Sequence, residues 1–519
     1  MASQANDATG LGEASHHRFA INTITNSGSL VLSIAVGFWY TPYMIRHLGV
    51  AVYGLIPLSS SITNYLTIIT AAVCTTVARY ITVDIARGDI ESANRHFNTF
   101  LVIATGVATA LMLLAVGFSY LLPEFFNIPA GQEWAAQVLF LSVTAAFLLS
   151  TVANTFQSAI WVSNRFEIRS LIESGAILIR VSLVVLLFHL WTPSLWQLSI
   201  AFPVTALYTA AGDVIACRKL VPSLRVRFSD FDRKELGALW NTSRWMLVSQ
   251  VGGVLFFNLD LVLANTLLGP VEAGRYAPLI QWVFLLRTLG LSIALVLSPP
   301  LVVRHAQGDV EGLLRVLRQA SKFLGLIVGL PATLMCGFAG PLLGTWLGPS
   351  FQDLAPLTWW LVLPLCVEAS QLHLSAVWIA ADKLRVISLQ TVACGVAYIG
   401  LAVLLVRGFH WGLYGIAVAS AVASLLRNGV LSPIYTATIT HLPRWTLASY
   451  AWKALFGSFV FAALTAMAFV RMAAGSWSKL ALAAAPVSLA YCAITYFALL
   501  NGEERRTLRR IIFARRAEP

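Results

Sequence analysis

Charge is what this chain has little of. Only 11% of its 519 residues are Asp, Glu, Lys or Arg, while 58% are hydrophobic. A soluble domain carries roughly 25% charged residues. So apolar a chain cannot cover its own surface in water, which excludes an ordinary soluble enzyme and makes lipid part of its solvent. Cysteine is scarce too. Cys74, Cys217, Cys336, Cys366, Cys394 and Cys492 all lie in or beside apolar runs, and none forms a C-x-x-C pair. Neither a disulfide framework nor a metal centre is expected from them. No phosphate-binding Gly-rich loop is found, so no ATP hydrolysis is expected. The polar start, residues 1–18, is not followed by a short apolar stretch with a cleavage site, so the first apolar run is expected to be retained as a helix.

What is present is a series of apolar runs. At roughly 20 residues per span, the chain holds about fourteen. They fall at 19–45, 51–81, 98–121, 135–162, 171–191, 195–217, 243–268, 275–303, 321–346, 354–381, 386–407, 411–438, 450–472 and 477–500. The net charge is +12, and most of it sits in loops on one side. That side carries Arg87, Arg95, Arg165, Arg169, Lys383, Arg385, Arg304, Arg315 and Arg318, the basic stretch 218–242, and a tail with Arg505, Arg506, Arg509, Arg510, Arg515 and Arg516. The other side has Arg46, Arg275, Arg407, Arg471 and Lys479. This bias predicts cytoplasmic N and C termini, and nucleic acid is not an expected partner. The outer loops are short, the longest being roughly 122–134, so no outer catalytic domain is expected. A membrane glycosyltransferase is correspondingly disfavoured.

The halves repeat. Leu48-Gly49 and Gly54 match Leu268-Gly269 and Gly274 at an offset of 220 (269 − 49). Ala86, Gly88, Asp89, Glu91 and Arg95 match Ala306, Gly308, Asp309, Glu311 and Arg315 at the same offset. Asn164-Arg165 matches Asp382-Lys383 at 218. Six spans separate equivalent positions, so the repeat is parallel, with its pseudo-two-fold along the membrane normal. The expected fold is all-α and polytopic, with two pseudo-symmetric six-helix lobes plus two C-terminal helices. Its parts are a cytoplasmic tail 1–18, an N-lobe 19–217, a basic linker 218–242, a C-lobe 243–438, a helix pair 450–500 and a basic tail 501–519.

The run Tyr43-Met-Ile-Arg46-His-Leu48-Gly49-Val-Ala-Val-Tyr53-Gly54 resembles the end of helix 1 of polysaccharide-transport flippases. Phe257-Asn-Leu-Asp260 with Leu268-Gly269 and Ala273-Gly274-Arg275-Tyr276 resembles their helix 7, and Thr76-Val-Ala-Arg79-Tyr80 the end of their helix 2. These are the Wzx-type flippases of the multidrug/oligosaccharidyl-lipid/polysaccharide (MOP) exporter superfamily. The likeness covers roughly residues 18–440. The pair 450–500 departs from the many twelve-helix Wzx-type members and matches the fourteen helices of lipid II flippases. The resemblance implies a MATE-like fold and translocation of a polyprenyl-diphosphate-linked oligosaccharide. The implied partners are that glycolipid, membrane lipid, a polysaccharide polymerase and glycosyltransferases. No cofactor is implied, and a coupling ion, H+ or Na+, is left open. A lipid II-type flippase and a cation-coupled drug exporter are the alternatives.

A charge in the bilayer costs roughly 2.5–3.5 kcal/mol on insertion scales, so each one inside a span calls for a reason. The candidates are Arg180, Asp260, Arg287, Glu368 and Arg427. Arginines lining a hydrated cavity would fork onto a diphosphate; the bland reading is interhelical ion pairs such as Asp260–Arg287 or Glu368–Arg427. Polar stripes in spans one and two bring Asn26 and Asn64 to the same expected cavity. Arg46 and Arg275, at the outer ends of spans one and seven, and Arg79, at the inner end of span two, are candidates for its rim, or else snorkel to the interface.

Overall fold

A computed structural model describes residues 2–227, 230–232, 247–381, 383–469, 475–502 and 504–506. Lipid cannot hydrogen-bond a backbone, so each apolar run closes its own N–H and C=O groups as a helix. Among the described residues the protein has helices and turns and no strand.

In chain order the helices are α1 (Ala2–Leu48), α2 (Val50–Asn64), α3 (Thr67–Ala86), α4 (Ile90–Phe125), α5 (Glu133–Val162), α6 (Phe166–Leu190) and α7 (Leu195–Leu220). Next come α8 (Leu247–Phe257) and α9 (Asp260–Leu268). Then follow α10 (Pro270–Ala306), α11 (Val310–Gly337), α12 (Ala339–Trp346), α13 (Ala355–Val362), α14 (Pro364–Ala369) and α15 (Leu374–Ala380). The series ends with α16 (Leu384–Val403), α17 (Leu413–Leu426), α18 (Ser432–Ile439), α19 (Thr446–Phe469) and α20 (Trp477–Ile494). Among the described residues twelve helices are long and apolar enough to cross a membrane, or fourteen if two bent pairs are each one span.

The two bent pairs are α8–α9, bent by 49°, and the run Pro349–Ala369 with α15, bent by 46°. In the first, the chain leaves the helix at Asn258 and restarts with Asp260 in the first turn of α9. A carboxylate there meets the free N–H groups and positive dipole end of the new helix. In the second, the helical run stops at Ala369 and restarts at Leu374, so the break falls at residues 370–373. The first helix also differs from its expected span: the polar start continues it back to Ala2.

The repeat is visible as repeated local structure. Gly49 and Gly269 have φ of 80° and 94°, and Gly88 and Gly308 have 76° and 67°, each ending one helix before the next begins. Asp89 caps α4 by accepting from Ser92 N at 2.9 Å, and Asp309 caps α11 by accepting from Gly312 N at 2.8 Å. The cores repeat too. Ile81, Ala93 and Phe97 pack together in one cluster. Their repeat mates Leu301, Leu313 and Leu317 pack together in another.

The chain divides into two compact units, residues 1–278 with 391–395, and residues 279–390 with 396–519. In the first, α4, α5 and α7 bury Phe97, Phe100, Ala159 and Cys217. In the second, α10, α11, α15 and α19 bury Leu301, Leu317, Val377 and Leu447.

Candidate functional site

In the first unit the central feature is Arg180, in the middle of α6. Its guanidinium stacks over the Phe202 ring of α7 at 5.0 Å. Tyr40 of α1 lies within electrostatic range of it. Among the described residues no carboxylate pairs with it, and its Nε is buried without a hydrogen-bond partner. A ring face compensates a cation only in part, by about 0.5–2 kcal/mol. Arg180 is therefore an anion-seeking group inside a helix bundle.

Asp260 is buried at the α8–α9 break, with Tyr65, in the turn between α2 and α3, in electrostatic range. Asn64 is half-buried at the end of α2, and Asn26 is exposed. The neighbouring Asn22 belongs to packing: its Oδ1 accepts from Glu167 N at 3.0 Å and its Nδ2 donates to Asn164 O at 3.1 Å, tying α1 to the start of α6.

In the second unit Arg287 of α10 and Glu368 of α14 form a forked ion pair. Nε donates to Oε1 at 2.8 Å and an Nη to Oε2 at 3.2 Å. Glu368 is 5% exposed and Arg287 19%. A buried pair with both carboxylate oxygens engaged is a neutral interhelical clamp. Arg427 donates to Asn428 Oδ1 at 2.7 Å in a π-helical turn that interrupts the α17–α18 run. Ser370, Gln371 and His373 are buried at the bend beside Glu368. The same unit holds an apolar cavity of about 870 Å³, walled by Trp359, Trp360, Trp452, Phe456, Phe459 and small residues.

The rim residues spread out. Arg46 is exposed at the end of α1. Arg275 is not at the end of span seven: Gly269 ends α9, α10 begins at Pro270, and Arg275 lies in that helix, near Glu272 at 3.3 Å. The exact repeat mate of Arg46 is Thr266 (46 + 220), so the two arginines are not equivalent. The side chain of Arg79 lies outside the described residues, as do Arg233 and Lys234 of the basic stretch and the tail beyond Arg506. Two contributors escaped the sequence reading: Phe202, which no spacing marks, and Lys322, which helical spacing from Arg315 and Arg318 could have flagged.

Comparison with solved structures places the fold. An inward-facing MATE-family multidrug resistance transporter of the MOP superfamily superposes with a TM-score of 0.63 at 14% identity, over 85% of this chain and 96% of that one. The lipid II flippase MurJ, in an inward closed conformation, gives 0.61 at 14% identity, over 93% and 100%. The chain thus has the fold of MOP-superfamily transporters. No protein-family profile matches it. At 30% identity over 494 residues, spanning 94% of this chain and 97% of the relative, it aligns with the uncharacterized membrane protein EpsK of Bacillus subtilis (strain 168), and it belongs to the same family of multi-pass membrane proteins.

Proposed function

We propose that the protein is a flippase that moves a polyprenyl-diphosphate-linked oligosaccharide across the inner membrane by alternating access, with both termini cytoplasmic. The observation that carries this reading is Arg180, a guanidinium within a span that has a buried, unpartnered Nε and no carboxylate partner among the described residues. Such a cation selects for an anion delivered into the bundle, and a diphosphate offers oxygens in the fork geometry that a guanidinium fits. The apolar, aromatic-walled cavity of the second unit suits a polyprenyl chain, since its surfaces can dehydrate an isoprenoid without stranding polar groups. A cationic drug would instead call for a free intramembrane acid; of the two acids Asp260 and Glu368, the latter already serves Arg287. Membrane glycosyltransferases would supply the glycolipid and a polymerase would consume it; the protein itself does no covalent chemistry.

Purified protein in liposomes, given a labelled polyprenyl-diphosphate sugar, tests this. The wild-type protein should move label between leaflets. Arg180→Gln should fold yet slow transfer by roughly ten- to a hundredfold, the range for loss of a charged hydrogen bond. Arg180→Lys should keep part of the activity. Transfer by the folded Gln variant at the wild-type rate, or none by the wild-type protein, overturns the reading.

A further inference from the structure

We propose that the last helix pair completes a binding site for the phosphate headgroup of an anionic membrane phospholipid, distinct from the transport pathway. The site is a cavity of about 490 Å³ walled by Arg315, Arg318 and Lys322 of α11, Tyr450 of α19, and Asn501 and Glu504 after α20.

The repeat explains how it arose. The corresponding place at the start of α4 is also a cavity, of about 730 Å³, but there the chain itself fills the role of partner. Asn94 donates to Ser223 O at 2.9 Å and accepts from Arg225 N at 2.8 Å. Asn98 donates to Arg225 O at 2.9 Å and accepts from Arg227 N at 2.7 Å. Glu91, Asp230 and Asp232 balance its three arginines. In the second repeat the positions equivalent to Asn94, Asn98 and Val102 are Leu314, Arg318 and Lys322. The two asparagines that held the linker are gone, one replaced by Leu314 and the other by Arg318, and Lys322 adds a second cation one turn further on.

Those cations share a face, since residues three, four and seven apart on a helix line up. Lys322 bonds Glu504 at 2.6 Å, which pins the turn after α20 to α11 as a wall. Arg315 and Arg318 remain exposed, with Glu311 the one other acid lining the cavity. Two guanidiniums against a single remaining carboxylate leave an excess positive charge in a walled recess, which a phosphate diester fits.

Depth identifies the source of the phosphate. The 28 residues of α11 span about 42 Å, against roughly 30 Å of hydrocarbon, so its first turns reach the headgroup layer. Trp445 and Tyr450 lie at the adjoining start of α19, with Lys453 over the Tyr450 ring at 5.6 Å. Aromatic and basic residues together mark a lipid–water interface.

The test uses the full-length purified protein in nanodiscs of phosphatidylcholine alone or mixed with phosphatidylglycerol, read by native mass spectrometry and thermal unfolding. Wild-type protein should retain phosphatidylglycerol and unfold at a higher temperature in its presence. Arg315→Gln with Arg318→Gln should weaken retention about thirtyfold, at about 1 kcal/mol per cation near an anionic surface and 1.4 kcal/mol per tenfold. Lys at both positions should restore most of it, and Arg95→Gln, at the first-repeat cavity, should change nothing. Undiminished retention by the folded Gln variant overturns the proposal. So does equal stabilisation by inorganic phosphate without lipid, which would mark a free-anion site.

Discussion

Gly54 and Gly274 pack backbone against backbone. A Cβ on Gly54 would sit 2.8 Å from the Cα of Gly274, and one on Gly274 would sit 2.0 Å from the carbonyl oxygen of Val50. The two positions stand at the repeat offset (274 − 54), which makes them repeat mates that touch one another. Small residues at such a crossing let helices approach closely where lipid gives no hydrophobic drive to pack. Gly274→Ala should therefore destabilise the protein by about 1–3 kcal/mol, because backbone and not a mobile side chain is in the way. Gly28, with open space around its Cβ position, is the control. Thermal unfolding in detergent should show a clear drop for the former alone; equal, small shifts for both would mean the helices can part freely.

Arg287 and Glu368 give a second prediction. Removing one partner leaves a buried charge alone, at a cost of about 3–5 kcal/mol. Replacing both with apolar residues of similar volume strands nothing. Arg287→Met and Glu368→Met should each cut the yield of folded protein sharply, while the double variant recovers it. A double variant no better than the worse single would show that the pair holds the protein by something other than charge neutralisation. If the double variant also transports, the pair is a clamp and not a substrate contact.

Asn127 and Asn265 clasp each other. Asn127 N donates to Asn265 Oδ1 at 2.9 Å, Asn127 Nδ2 to Asn265 O at 2.7 Å, and Asn265 Nδ2 to Asn127 O at 2.9 Å. The clasp ties the loop after α4 to the end of α9. Asn265→Ala deletes two of these bonds, and since Asn127 is exposed its freed N–H turns to water, so the cost is about 0.5–1.5 kcal/mol per bond. Hydrogen exchange should rise in residues 126–132 while α4 itself stays protected. Unchanged exchange there would mean that the loop is held by packing alone.

The fold was largely legible because its signals are one-dimensional. Runs of apolar residues need no tertiary information, and Gly49, Gly88, Gly269 and Gly308 carry the repeat because glycine suits their positive φ. Breaks within spans were less legible. Asp260 reads as a charge in mid-helix, yet it opens a new helix, and hydropathy averages over the bend. Side-chain partners were least so. Arg287 and Glu368 are 81 residues apart, and their pairing was neither of the two expected, Asp260–Arg287 and Glu368–Arg427, because charge alone does not say which helices face each other. Nor does anything in a sequence say that Asn22 spends its amide on the start of α6 while Asn26, one helical turn away, is exposed.

Asp89 supplies a pH test. Its carboxylate accepts from Ser92 N in the first turn of α4, and bonds from the Ser92 backbone and side chain hold its pKa below the ordinary aspartate value. A folded pKa below the unfolded one means that the cap contributes fully above the ordinary aspartate pKa, roughly 3.9, and is lost as pH falls through the depressed value. Exchange of the first-turn amides of α4, corrected for the intrinsic chemical rate, should therefore stay slow from neutral pH down to about pH 4 and rise below it. Asp89→Asn keeps an acceptor at the cap but cannot titrate, so its protection should be flat across this range. Asp89→Ala should be unprotected at every pH. A pH-independent wild-type profile would show that the charge on Asp89 adds nothing to the hydrogen bonds it accepts.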